Sequence, residues 1–237
     1  MLISESKRFV FIHIPKTAGT SVMEVFLPHC RLRDRAFYGW VPTRKLIRLA
    51  IDRCGWNAGR TAVTGFHKHS RACEVRDGLG AERYGRYFAF AFVRDPFDEV
   101  ASLYHFIRQS AAHPRHSVVS GMSFSDFVAR HVASRPRRQV DYLQDPEDGT
   151  WLVDYVGRFE TLAEDVARIA EHLGVPFGGT LGRRNSGRLR ERDDCGYDED
   201  SRRLVADWYA ADFAAFGYGE GAEPDDALRW TGRRQRA

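Results

Sequence analysis

The chain has 237 residues, enough for one well-buried domain and too few for two of ordinary size. Its 43% hydrophobic and 29% charged residues are those of a soluble globular protein, and no uninterrupted apolar run reaches the ~18 residues of a membrane span. A formal charge of +4 suits an anionic ligand, but no nucleic-acid motif accompanies it, and the four cysteines lack the CxxC spacing of a metal site.

Phe9–Ile14 is a short apolar run stopped by Pro15, the profile of a buried parallel strand. It begins so near the first residue that no leader is expected, which places the protein in the cytoplasm with reduced cysteines. A helix follows over Thr20–Leu27, with Val22, Val25 and Phe26 on one face and Pro28 as its stop. Arg31–Gly59 is ambiguous and holds a candidate helix at Arg44–Arg53; residues 30–60 and 108–140 are the expected acceptor side, where the aromatics Phe37, Tyr38, Trp40 and Trp56 could stack on sugar rings. Thr61–Phe66 reads as a second strand leading into His67-Lys68-His69, and Ser70–Leu79 as a helix.

Tyr87–Val93 is the strongest strand, closed by Arg94-Asp95-Pro96. Asp95 is placed to cap the next helix and Pro96 to open it, with Phe97, Val100, Tyr104 and Ile107 as its apolar stripe. Ser123–Ala133 is a further capped helix and Leu152–Phe159 a further strand. Thr161 and Glu164 have capping-box spacing before a helix carrying Leu162, Val166, Ile169 and Leu173. An arginine-rich loop, Arg183–Arg192, precedes one last amphipathic helix that ends at Phe216-Gly217-Tyr218. Alternating strands and helices predict an α/β fold of three layers, a mainly parallel sheet flanked by helices. We expect one domain over 1–218 and a mobile tail over 219–237.

The informative unit is strand, PKTAGTS, helix. A parallel strand turning into a helix gathers free backbone N–H groups, and the helix dipole adds positive potential. Lys16 supplies an ammonium, while Thr17, Thr20 and Ser21 carry hydroxyls beside Ala18 and Gly19. In a Walker loop the lysine follows the last glycine; here it precedes the single Gly19 and the loop is shorter, as suits one phosphosulfate group. The second strand–turn–helix unit repeats the logic, with Arg94 at the strand's carboxyl end and Ser102 eight residues on, off the apolar stripe. Two anion sites on one sheet edge describe a nucleotide phosphorylated at both ends of its ribose.

These two motifs resemble those of sulfotransferases that use 3′-phosphoadenosine-5′-phosphosulfate, and the chain resembles bacterial members of the branch that includes the carbohydrate 2-O-sulfotransferases. The likeness also runs through VDYVGRFETL, RRNSG and DWYAADFAAFGY, covering about residues 8–218. It implies a P-loop-like sulfotransferase fold, with Lys16 on the bridging or leaving phosphosulfate oxygens and the backbone of Thr17–Ser21 around the 5′-phosphate. Arg94 and Ser102 then hold the 3′-phosphate, and Arg183, Arg184 and Asn185 lie where a loop closes over the nucleotide. The implied co-substrate is that sulfate donor, with no metal; the acceptor is a hydroxyl of a carbohydrate, glycolipid or small metabolite. Imidazole is the base best poised near neutral pH, and the HKH triplet resembles the family's His-x-His segment. His69 is the first candidate and His67 the second; Glu24 and Asp95 are alternatives with structural explanations. A kinase-like phosphotransferase would share the loop but needs magnesium ligands that are not apparent. A nucleotide-binding module without catalysis is the other competing reading. Oligomeric state is not legible.

Overall fold

The computed structural model describes residues 1–30, 66–181, 196–219 and 230–233. The expected helix at Arg44–Arg53, residues 61–65 of the expected second strand, and Arg183, Arg184 and Asn185 lie outside them.

The sheet has four strands in the order β1 (Leu2–Ser4), β2 (Phe9–Ile12), β3 (Phe88–Val93) and β4 (Tyr155–Arg158). β2, β3 and β4 are parallel, with Ile12 opposite Ala91 and Ala91 opposite Val156; β1 is an antiparallel edge strand that was too short to read in the sequence. β3 shows why the sheet sits where it does. Its FAFAFV alternation sends Phe88, Phe90 and Phe92 to one face and Ala89, Ala91 and Val93 to the other.

The phenylalanine face packs against α1 (Gly19–Phe26) through Val22 and Phe26 and against the helix Leu162–His172 through Val166 and Ile169. The opposite face is covered by α2 (Ala72–Leu79), α3 (Ala81–Gly85), the 3-10 turn Val140–Tyr142 and the carboxyl-terminal helix containing Phe216. Those are the three expected layers. α4 (Pro96–Gln109), α5 (His116–Val119) and α6 (Phe124–Ala133) join α8 (Glu199–Trp208) in a separate apolar cluster built on Val100, Tyr104, Phe127 and Val205. The helix over Leu162–His172 is α7, and Ala210–Phe216 is α9.

Several expectations are corrected in detail. β2 stops at Ile12 and β4 covers only Tyr155–Arg158. The segment before β4 is used otherwise: Trp151 bridges Gln144, and the Leu152 N–H donates to the Leu143 carbonyl. The single last helix is two, broken at the buried Tyr209, and α8 carries an Asp198–Ser201 capping box. The Thr161–Glu164 box does not form, since Thr161 makes no side-chain cap bond and its hydroxyl donates to Asp165 at 2.7 Å. Asp165 is fully buried and also accepts from the Tyr155 hydroxyl and the Arg158 N–H, a three-donor set that outcompetes a cap. Asp95 does cap α4, accepting from the Phe97 N–H at 2.9 Å with Pro96 in the first turn.

Within the expected tail, residues 230–233 contact the sheet. Trp230 bridges Tyr155 of β4, and Arg233 donates to buried Asp154 at 2.8 Å while lying 4.5 Å from the Tyr84 ring centre. Among the described residues no helix is long and apolar enough to cross a membrane.

Candidate functional site

Because β2 and β3 are parallel neighbours, the segments that follow them leave the sheet at one edge. The loop after β2 holds an unusual backbone. Lys16 and Ala18, not the glycine, adopt left-handed conformations, with φ of 64° and 61°. Non-glycine residues rarely occupy that region, and such strain collects where a loop shape is needed for a ligand. The Thr17 hydroxyl donates to the Ile14 carbonyl at 3.1 Å and is fully buried, so it closes the loop instead of facing outward. Among the described residues the N–H groups of Lys16, Ala18, Gly19 and Thr20 make no hydrogen bond, and they lie at the amino end of α1. Thr20 is exposed and Ser21 buried.

Gly19 has a role that the motif did not reveal. A Cβ at this position would overlap the His13 ring, which packs against the loop here. His13 is buried, stacked on Phe11 at 5.7 Å, and held neutral by its burial. Its carbonyl accepts a hydrogen bond from Nδ1 of His69 at 2.7 Å, and the two rings lie 4.6 Å apart. A carbonyl can only accept, so Nδ1 of His69 bears the proton and Nε2 carries a lone pair. His69 is half-buried, and burial, opposed by that hydrogen bond, lowers it to about 3. It is therefore a neutral acceptor at physiological pH. His67 is exposed, and its Nδ1 accepts from the His69 N–H at 3.1 Å, which shapes the turn.

Lys16 extends toward α4, its Nζ 4.1 Å from the centre of the Phe106 ring. Burial first and the charge of Arg94 second lower it to about 8. Arg94 immediately follows β3, its guanidinium 4.0 Å from the Phe159 ring centre, with a buried Nε that has no hydrogen-bond partner. Its main chain is clamped: Gln139 accepts from the Arg94 N–H at 2.8 Å and donates to the Arg94 carbonyl at 2.7 Å. Gln139 is in turn fixed by Asp212 of α9, which accepts from the N–H groups of Gln139 and Val140. Ser102 is half-buried on α4, three residues from Glu99 and hence on the same side of the helix.

The structure thus brings Lys16, the 16–20 main chain, Arg94 and His69 to one sheet edge. Gln139, Asp212 and Glu99 were missed by the motifs. The first two act across 45 and 73 residues of sequence, which no local pattern reports. Glu99 had one legible signal, its position three residues before Ser102. Unsatisfied N–H groups, an ammonium and an arginine Nε suit an anion, and an unprotonated imidazole Nε2 suits a proton acceptor.

A model of the sulfotransferase family matches residues 1–219, a span that includes every element of this edge. The chain belongs to the sulfotransferase family. It is also similar to an uncharacterized protein of Archaeoglobus fulgidus, 26% identical over 102 residues, which is 43% of this chain and 80% of that protein. No solved structure matches the chain. Among the described residues of this sulfotransferase no three histidine, cysteine, aspartate or glutamate side chains converge as metal ligands.

Proposed function

We propose that the protein transfers a sulfuryl group from 3′-phosphoadenosine-5′-phosphosulfate to a hydroxyl of a carbohydrate or other small acceptor, with His69 as the base. The observation that carries this reading is the pairing at one edge of an orphan-donor loop with a neutral imidazole whose Nε2 is unprotonated. The strained 16–18 turn and the amino end of α1 take the 5′-phosphosulfate, as a P-loop-like cradle does. Lys16 neutralises the charge growing on the phosphate oxygen as it leaves. Arg94 and Ser102 take the 3′-phosphate, with Gln139 keeping the Arg94 main chain in place.

The reaction is an in-line displacement. The acceptor oxygen bonds to sulfur as the sulfur–phosphate oxygen bond breaks, and adenosine 3′,5′-bisphosphate departs. The acceptor's proton passes to Nε2 of His69, and the His13 carbonyl, already bonded to Nδ1, stabilises the imidazolium that forms. A group at about 3 is a weak base toward water, but bound donor adds negative charge beside it, and the proton needs a home only as the bond to sulfur forms.

The test combines labelled donor, a panel of hydroxyl acceptors and calorimetry with adenosine 3′,5′-bisphosphate in the absence of magnesium. His69→Ala is expected to lower transfer by about 10²–10⁴-fold while leaving bisphosphate affinity within about threefold. Equal transfer by wild type and His69→Ala removes the histidine from the chemistry. Strict dependence on magnesium–ATP removes sulfuryl transfer altogether.

A further inference from the structure

Glu99 is a half-buried acid in the first turns of α4 that the chemistry above does not use. Its Oε2 is shut off from water and has no hydrogen-bond partner. The Nε of Arg94 is in the same condition. Lys16 and Arg94 are both near enough to act on Glu99, yet among the described residues it forms an ion pair with neither. Two buried groups of complementary type, each left without a partner, are uncommon in native proteins. The arrangement is explained if a guest oxygen completes both.

We propose that Glu99 carries a proton in the donor site and donates an O–H hydrogen bond to an oxygen of the phosphate held by Arg94 and Ser102. This rests on the donor reading given above and adds a residue and a selection rule to it. The guest is a phosphate monoester dianion, which offers only acceptors. An ionised Glu99 would repel it; a neutral acid contributes a donor beside the Arg94 fork. Ser102, one turn along the same side of α4, supplies a hydroxyl to the same group.

The surroundings favour the neutral acid. Burial and the Asp212 carboxylate raise Glu99 to about 8, outweighing Arg94 and Lys16, which pull the other way. Tyr209 and Tyr142 face it as well, and each is raised in part by its charge. Lys16 itself sits at about 8, so the two groups titrate in the same range and the donor site loses one proton shared between them first. Donor binding should therefore weaken above that pH for two separable reasons, a lost ammonium and a lost carboxyl proton.

The experiment uses the full chain, adenosine 3′,5′-bisphosphate as probe, and calorimetry from about pH 6.5 to about pH 9.5 in buffers of different ionisation heat. Glu99→Gln keeps an N–H donor that cannot ionise. It should bind within about threefold of wild type near pH 7 and show a shallower decline above pH ~8, leaving only the Lys16 contribution. Glu99→Met keeps the volume and removes the donor, and should bind roughly tenfold more weakly at every pH. Infrared spectra of the free protein near pH 7 should contain a protonated-carboxyl band that Glu99→Gln lacks. A tenfold gain in affinity for Glu99→Gln near pH 7 would show that Glu99 is ionised and repels the guest, overturning the proposal. Identical affinity and pH slope in all three proteins would overturn it too, as would absence of the infrared band. If the wild type binds no bisphosphate while the band is present, the donor reading fails and the proton on Glu99 stands.

Discussion

At the scale of single residues, the proposed anion loop is shaped by contacts that its motif conceals. A glycine before a helix is ordinarily explained by a positive φ or by close approach of a phosphate. In this loop the positive φ values belong to Lys16 and Ala18, and Gly19 is small because the His13 ring lies against it. The main-chain carbonyl of the same histidine fixes the tautomer of His69, so the loop and the proposed base share one support. Gly19→Ala should therefore cost about 1–3 kcal/mol by overpacking, read as a lower urea midpoint. It should also reduce transfer more than a surface substitution of equal stability cost, since moving His13 moves His69. Unchanged stability would mean that the ring and the loop do not touch in solution.

At the scale of elements, the clamp on Arg94 shows how a distant helix serves the site. Asp212 in α9 accepts from two main-chain N–H groups, Gln139 grips the main chain of Arg94, and Arg94 ends β3. Three elements far apart in sequence thus converge on the main chain of one arginine. Asp212→Ala leaves two buried N–H groups without an acceptor, and a loss of about 2–4 kcal/mol is expected. Affinity for adenosine 3′,5′-bisphosphate should fall as well, because Arg94 loses its fixed origin. A stable variant with normal affinity would reduce the clamp to a loop contact. The sequence reading of elements succeeded where a local rule dominates: the Asp95 cap, the Pro96 start and the strong apolar run that forms β3 all follow from neighbours within a few residues. It failed where partners are remote. Thr161 prefers Asp165 to a cap, and one apolar helix splits at Tyr209, whose hydroxyl meets His131 at 3.0 Å across 78 residues.

At the scale of the whole molecule, buried titratable groups set the response to acid. His13, His69 and His131 are all held neutral by burial, the last at about 4. The unfolded chain binds a proton at each below about 6.5, whereas the folded chain does not until far lower, so their stabilisation is lost as pH falls through that range. Glu99 at about 8 and Asp212 at about 6 act in the opposite sense, because the folded chain holds their protons where the unfolded chain has released them. Three against two leaves a net decline. The urea midpoint should drop between about pH 6.5 and about pH 4.5, and Glu99→Gln should steepen the drop by removing one opposing group. A midpoint that rises toward acid would contradict this balance.

The sequence by itself determined the α/β class, the two strand–loop–helix units, and the placing of Lys16, Arg94 and Ser102 within them. Those features are written in apolar period, caps and proline positions, all of which act over a few residues. Only the tertiary structure decided which nitrogen of His69 is unprotonated, what holds Arg94, why Gly19 must be small, and that residues 230–233 lie along β4. Each of those depends on a buried polar group finding its partner across the fold, and burial is a property of the assembled sheet and helices, not of any segment read alone.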